Sequence, residues 1–403
     1  MKFHGYRRSD GKVGIRNHVL ILPASICASD TARQVSSLVQ GSVTWHNQLG
    51  CSQTPIDQEC TLQTMAGLAA NPNVYGTVVI SLGCENCQMD KVVSEIAKRC
   101  DKPLETFVIQ KCQGTIRTIE RAVRAASNMV MEASRMQREE VDISELMIAT
   151  ECGGSDPTSG LAANPLVGAV SDEVVRLGGT SVLSETTEFI GAEHILTKRA
   201  VSQEVADKIL EIVHNYEASM NVVGDDVRRR NPSPGNMAGG ITTLEEKSLG
   251  CIYKSGSMPI QAVYDYAQTI TDKGLVIMDT PGNDPISITG MAAGGCQLAL
   301  FTTGRGTPTG NPIIPVIKIS ANRETAVFMD DNLDFDASPL IYQEYTVEHV
   351  RDALLQEVLR VADGKLTKSE ILHCYETAIA RVGRYVSEEV DNEGHNIIKS
   401  YYY

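Results

Sequence analysis

"TVVISLGCENCQ", residues 77–88, runs from an unbroken apolar, β-branched stretch straight into Gly, Cys, Glu and a second Cys. Continuous rather than alternating apolarity marks a strand buried on both faces, as in a parallel sheet covered by helices. The same pattern recurs at "HVLILPA" (18–24), "SVTWH" (42–46), "LETFVIQ" (104–110) and "ELMIATECGG" (145–154). It returns at "TSVLSETT" (180–187), "GLVIMDTPG" (274–282), "LALFTTGRG" (298–306) and "IIPVIKIS" (313–320). Helix-length segments separate several of these runs. Residues 202–216 place Val205, Ile209, Ile212, Val213 and Tyr216 on one face behind a Ser202 cap. Residues 346–363 do the same with Val347, Val350, Leu354, Val358 and Val361, and Gly364 follows as a stop.

Strands alternating with helices predict an α/β fold: two Rossmann-like domains with mostly parallel, doubly wound sheets. The charged stretch "MQREEVDISE" (136–145) is the best break, giving an N-terminal domain over 1–140 and a C-terminal catalytic domain over 141–403. A second irregular segment is "GDDVRRRNPSPGNMAGG" (224–240). In such sheets ligands bind beyond the carboxyl ends of the strands, which places the expected site at the strand tips.

Composition narrows the function. A formal charge of −14 over 403 residues argues against a nucleic-acid or anionic-membrane surface, and "RRR" at 228–230 reads as a solvated loop. No run of about 18 apolar residues predicts a membrane span, and "MKFHGYRRSDGKVGIRN" has no apolar signal core. A cytoplasmic location is expected. The chain has neither GxGxxG nor a phosphate-loop motif, so nucleotide binding has no support.

Eleven cysteines in a reducing compartment do not predict a disulfide framework. Cys27, Cys60, Cys100, Cys296 and Cys374 read as small buried hydrophobes. Cys51, Cys84 and Cys152 differ, because each follows a strand, beside a glycine that permits a tight turn and a close approach. If their strands are neighbours, the three thiols converge on a metal. Closed zinc sites want four ligands, commonly paired C-x2-C knuckles, whereas Cys84 and Cys87 form the only such pair here. Three thiolates suit a [4Fe–4S] cluster with one open iron; a mononuclear Fe2+ site with His46 is the competitor. Cys87 lies further on, at a helix start, and is the weaker candidate.

Other strand ends carry groups suited to a polar anion. Glu185 and Glu188 lie in "SETTEF", Asp279 and Asp284 in "MDTPGNDP", and Lys247 in "GNMAGGITTLEEKSLG" (235–250). Arg305 in "FTTGRGTPTG" can grip a carboxylate bidentately, with Thr302, Thr303 and Gly304 beside it and Ser155 and Asp156 on another loop.

Taken together, "GYRRSDGKVGIRN", "LGCE", "TECGGSD", "GAEHIL", "GGITTLEEKSLG" and "FTTGRGTPTG" resemble the altronate/galactarate dehydratase family, from about residue 3 to past 335. The resemblance implies an iron-dependent lyase that removes water from a sugar acid. The family also holds the large subunit of sulfolactate sulfo-lyase, which releases sulfite. Many members begin with an additional small domain that this sequence lacks, so a separate small subunit is expected, within an oligomer. "HNQLGCSQ" and Cys112 in "VIQKCQGT" depart from the family pattern and leave the acid open. Elimination from a small 2-hydroxy acid needs a base at the α-carbon, for which Lys247, His194 and Glu185 are the candidates. An electron-transfer iron–sulfur protein and a zinc scaffold are the alternatives from other classes.

Overall fold

The computed structural model describes residues 1–222, 226–381, 385–390 and 396–401. Two parallel sheets organise it, one in each half of the chain. The first half begins with β1 (Lys2–Arg7) and β2 (Val13–Gly14). It then alternates β3 (His18–Pro23), α1 (Ile26–Leu38), β4 (Ser42–Thr44), α2 (Pro55–Ala70), β5 (Val74–Ser81), α3 (Met89–Ala97), β6 (Leu104–Val108) and α4 (Thr115–Ala133). The sheet order is β4-β3-β5-β6, parallel throughout.

Side chains alternate across these strands. Val19, Ile21, Val78 and Ile80 pack under α1 and α4, while Leu20, Leu22 and Val79 face α2 and α3 on the other side. Both faces of the central strands β3 and β5 are buried, and for that reason they are apolar almost without interruption, while β4 and β6 at the edges are partly exposed.

β7 (Glu139–Asp142) pairs antiparallel with β1, and β2 flanks β1 to make a small third sheet. The charged stretch expected as a break is therefore partly a strand. Only Val141 of the four strand residues is buried, which leaves no apolar pattern to read.

The second half runs β8 (Met147–Cys152), α5 (Asn164–Arg176), β9 (Thr180–Leu183), α6 (Glu193–Thr197), α7 (Gln203–Val222), α8 (Pro234–Ala238) and α9 (Leu244–Ile252). It continues β10 (Ile260–Tyr264), β11 (Gly274–Met278), α10 (Asp284–Gly294), β12 (Leu298–Thr302), β13 (Val316–Ser320), α11 (Arg323–Phe328), β14 (Phe335–Asp336), α12 (Val347–Ala362) and α13 (Lys368–Leu372). An antiparallel hairpin, β15 (Tyr385–Val390) and β16 (Asn396–Tyr401), ends the described chain. The second sheet is seven parallel strands in the order β10-β11-β9-β8-β12-β13-β14.

The two expected helices form as α7 and α12. Ser202 caps α7 by accepting from Val205 N–H at 3.3 Å, and Ile209, Ile212 and Val213 are buried. In α12 the buried face carries Val350, Leu354, Val358 and Val361, but Val347 is exposed because it is the helix's first residue.

One core joins the halves. Leu20, Met65, Leu68 and Val79 pack with Ala149, Val276, Met291 and Phe301, and the contact is closest where α2 crosses α10. A Cβ at Gly67 would lie 2.4 Å from Ala293 O, so only glycine allows that crossing. Asparagines seal the seam: Asn71 Nδ2 donates to Ala292 O and Cys296 O, and Asn73 Nδ2 to Gln297 O and Ile313 O. Asn73 Oδ1 also accepts from Ile15 N–H at 2.8 Å. Further on, Arg16 and Glu370 form a buried ion pair at 2.7 Å. Past α13 the chain lies along the first half, where Thr377 O accepts from Gln48 Nε2 at 3.5 Å and Ala380 O from Cys60 Sγ at 3.6 Å. Among the described residues no helix is long and apolar enough to cross a membrane.

Asn73→Ala should lower the unfolding free energy by about 1–3 kcal/mol, because buried backbone groups lose their partner. The midpoint of a urea titration checks this, and an unchanged midpoint would mean the seam does not depend on that amide.

Candidate active site

In the seven-stranded sheet the chain first moves from β8 to β9 on one side, and later places β12 on the other. The strand order therefore reverses at β8, and parallel sheets open a crevice at such a point. Cys152 is the last residue of β8 and pairs in register with Thr302 of β12. A cleft of about 750 Å³ opens there, lined among others by Cys152, Glu185, Glu188, Lys247, Asp284 and Arg305. A hollow of about 660 Å³ at the amino ends of the strands, lined by Lys12, Arg99 and Asp272, lies on the wrong edge for this chemistry.

Beneath the cleft is a buried cluster. Cys152 Sγ lies 3.8 Å from Cys251 Sγ, near the end of α9, and Lys254 Nζ lies 3.3 Å and 2.9 Å from the two sulfurs. Lys254 also bonds to Glu185, and its side chain has no exposure at all. Glu185 accepts from Cys152 N–H at 3.0 Å and adopts a left-handed backbone (φ 70°), held by its own N–H bond to Thr280 Oγ1. A non-glycine residue in that region carries strain of order 1–3 kcal/mol, and such strain gathers at functional positions.

Charges follow from the contacts. Burial opposes the Lys254 ammonium, but the sulfurs and the Glu185 carboxylate outweigh it and raise its pKa. The Cys251 thiol, burial and the Glu185 charge push the Cys152 thiol up, while the Lys254 ammonium pulls it down. Glu151, one residue earlier on β8, is raised by burial and by Glu185 and is held as a neutral acid against Ser184 and Ser287.

Cys152, Glu185 and Cys251 bring their ligand atoms within 4.8 Å of one another, a set able to hold a metal ion. Two sulfurs and a carboxylate suit iron or zinc. The Lys254 ammonium already sits among those atoms as their counter-cation, so a metal enters only where Lys254 gives up its place.

Other groups face the cleft from above. Burial, then the Glu185 charge, lifts the Asp284 carboxyl to about 7. Asp284 stands at the start of α10 directly over Gly153, where a Cβ would meet its Oδ2 at 2.2 Å. Burial opposes the Lys247 charge, but Glu188, 2.7 Å away, outweighs it and the pKa rises. Arg305 is exposed on the cleft wall and donates to Gly235 O at 2.5 Å.

The remaining expected residues have other surroundings. Ser155 lines the cleft. Asp156 is engaged by Thr158, Ser159 and Asn322. Thr302 is buried and donates to Asn164 Oδ1, Thr303 accepts from Gly306 N–H, and Gly304 packs on Asp156. His194 is exposed on α6, and it and Asp279, which binds Thr186, are not among the cleft-lining residues. Cys51, Cys84 and His46 lie at the carboxyl edge of the first sheet, all exposed, so the expected three-thiol set is divided between two sheets. Cys87 is buried, and burial raises its thiol to about 11.

Sequence reading missed Cys251 and Lys254. The motif "GGITTLEEKSLG" stops one residue short of Cys251, although Gly250–Cys251 repeats the Gly–Cys pairs at 50–51 and 83–84.

Family models decide the affiliation. That for "D-galactarate dehydratase/Altronate hydrolase, second domain" matches residues 5–134, and that for "D-galactarate/Altronate dehydratase, C-terminal" matches 143–385. The chain belongs to the altronate/galactarate dehydratase family. Altronate dehydratase of Bacillus subtilis is 36% identical over 94% of this chain and 78% of its own. The (2R)-sulfolactate sulfo-lyase subunit beta of Chromohalobacter salexigens is 38% identical over 94% of this chain and 97% of its own. Galactarate dehydratase (L-threo-forming) of Escherichia coli is 36% identical, covering 90% and 73%. These relatives are lyases, and this family member is a lyase too.

The raised Asp284 carboxyl has a measurable consequence. Its folded pKa, about 7, exceeds the usual 3.8, so the native state holds the proton more firmly. That contribution to stability is present at low pH and is lost as pH rises through the window between those two values. Asp284→Asn should therefore gain melting temperature relative to the parent as pH rises from acid to neutral. Parallel melting curves would expose an ordinary carboxyl.

Proposed function

We propose that this chain eliminates a β-substituent from a small 2-hydroxy acid, with water leaving a sugar acid of the altronate or galactarate type. One observation carries the reading: a carboxyl held near neutrality, Asp284, shares a switch-point cleft with two cations, Lys247 and Arg305. Arg305 binds the substrate carboxylate through its planar fork. Asp284, ionised, takes the α-proton. Lys247 faces the enediolate charge that develops, and such preorganised charge is worth several kcal/mol in a site shielded from water. Glu185 is already bonded to Lys254 and to Cys152 N–H, so it positions rather than abstracts. Lys247, held protonated, is likewise unsuited to act as the base.

Iron dependence belongs to this proposal. When bound, the metal supplies Lewis-acid polarisation of the departing hydroxyl; Cys152, Cys251 and Glu185 would hold it once Lys254 moves aside. A second chain belongs to it as well, since the relative matched nearly end to end is named as a subunit. That same match favours sulfite as the second candidate leaving group. The cytoplasm is the proposed location.

The experiment is to offer altronate, galactarate and sulfolactate to the purified chain, alone and with its candidate small partner, under iron and without air. Turnover of altronate or galactarate only with the partner is expected; sulfite release from sulfolactate would select the second candidate, and full turnover alone would remove the partner. With the active substrate, kcat/KM should rise with pH towards about 7 and level off, as Asp284 ionises. Asp284→Asn should abolish turnover, and Arg305→Lys should raise KM at least several-fold while changing kcat less. A pH profile with no step near neutrality would dismiss Asp284 as the base.

A further inference from the structure

The first sheet has a switch point of its own. From β3 the chain moves to β4 on one side and then returns to β5 on the other, so the crevice beyond β3 lies between the tips of all three strands. Backbone bonds stitch together the loops that leave these tips. Ile26 N–H donates to Leu49 O at 2.6 Å, and Asn86 N–H donates to Gly50 O at 3.0 Å.

Each loop delivers one thiol. Cys27 follows β3 in the first turn of α1, Cys51 follows β4, and Cys84 follows β5. Of the eleven cysteines in the chain these three are the exposed ones, and all three stand on this one edge. Exposed thiols distributed without purpose would not gather so. The expectation that Cys27 packs as a buried hydrophobe is thereby corrected: it follows the buried Ser25 and precedes the buried Ala28, but itself faces solvent.

The backbone around the thiols is shaped for close approach. Gly50 (φ 135°) and Ser52 (φ 54°) flank Cys51, and Gly83 (φ 121°) precedes Cys84. A Cβ on Gly50 would come within 2.3 Å of Ser25 Cβ, so the loops could not meet with any other residue there.

The same edge holds polar atoms without partners. Ser25 Oγ, Ser81 Oγ and Glu85 Oε1 are buried and unbonded among the described residues, on residues 1%, 1% and 2% exposed. Buried polar groups are bonded almost everywhere in folded proteins, so the two serine hydroxyls, one just past β3 and one at the end of β5, point to a missing acceptor; Glu85 is itself an acceptor, and its other oxygen already takes Gly83 N–H. Ser25 is moreover the N-cap of the 13-residue helix α1 and makes no side-chain cap bond, leaving the positive end of that helix for negative charge.

We propose that Cys27, Cys51 and Cys84 hold an iron–sulfur cluster at the switch point of the first sheet, apart from the Cys152 cluster of the second. Three thiolates ligate three irons of a cubane and leave the fourth open. The cluster is anionic, which suits the uncapped helix end, and the serine hydroxyls donate to its sulfides, as cluster-tuning hydrogen bonds do. The assignment does not rest on the lyase reading.

The test is made on protein purified without air from iron-replete cells. Acid-labile sulfide and visible charge-transfer absorption are its readouts, because a mononuclear iron site gives no sulfide. The parent should carry stoichiometric sulfide. Cys27→Ser, Cys51→Ser and Cys84→Ser should each lose most of it, while Cys251→Ser and the control Cys100→Ser keep it. Thiol alkylation of the native parent, mapped by mass spectrometry, supplies a measurement that needs no variant to fold: Cys27, Cys51 and Cys84 should be shielded until the cluster is removed by a chelator. Absence of sulfide from the parent would overturn the proposal. So would a Cys27→Ser variant with full sulfide, loss of sulfide in Cys251→Ser, or free alkylation of the three thiols. Turnover is scored separately, so a chain with no cluster could still prove a lyase.

Discussion

An ammonium group shut away from water must find its compensation at contact distance. Lys254 is such a group, and the architecture of the second half can be traced from that requirement. The carboxylate it needs is on Glu185, two residues past β9, which reaches it from a left-handed backbone pinned by Thr280 and by Cys152 N–H. The sulfurs come from β8 and α9, and α9 can lie close enough only because glycines meet at its contacts: Gly250 against Gly160, and Gly168 against Tyr253 O. Removing either member of the Lys254–Glu185 pair would strand its partner's charge in the interior, a change worth several kcal/mol. Glu185 and the two sulfurs are thus gathered around Lys254 for as long as it keeps its place.

Much of this was legible in the residues, for physical reasons that also set the limit. All nine apolar runs are strands; seven are buried on both faces, which demands continuous apolarity and needs no tertiary knowledge to see, while β4 and β6 at the edges of the first sheet are partly exposed. Glu139–Asp142 and Phe335–Asp336 were invisible because they are short and lie at sheet edges, where few positions are buried, and Val13–Gly14, though buried, is only two residues long. At the site, Cys152 and Glu185 could be found from their place after a strand. Cys251 lies on a helix, 99 residues from Cys152, and nothing local announces that Gly168 leaves room for the turn carrying Lys254. Cys27 was misjudged because "ASICAS" looks like ordinary helix, and its exposure depends on which helix face meets the sheet.

The halves repeat one device with different contents. In each, strands leave a central one to opposite sides, β4 and β5 around β3, and β9 and β12 around β8. In each, buried polar atoms with no partner among the described residues collect at or beyond the carboxyl edge: Ser25, Ser81 and Glu85 in one, and Glu151, Thr187 and Glu188 in the other. The topology opens the crevice, and the loop residues decide its chemistry: solvent-facing thiols in the first, interior ions and a cleft lined by acids and cations in the second.

The way the chain ends are laid has a bearing on how such a protein could arise. Family models divide the sequence near residue 140, as though two cassettes had been joined. The fold does not respect that seam. The first strand, β1, is zipped to β7 immediately before the second half begins, and the segment after α13 returns to touch Gln48 and Cys60 in the first. A recombination event that exchanged one half alone would carry away an edge strand and leave a strap with nothing to bind. Inheritance should therefore treat the pair as a single indivisible unit, and new specificities should come from the loops beyond the strands, not from swapping halves.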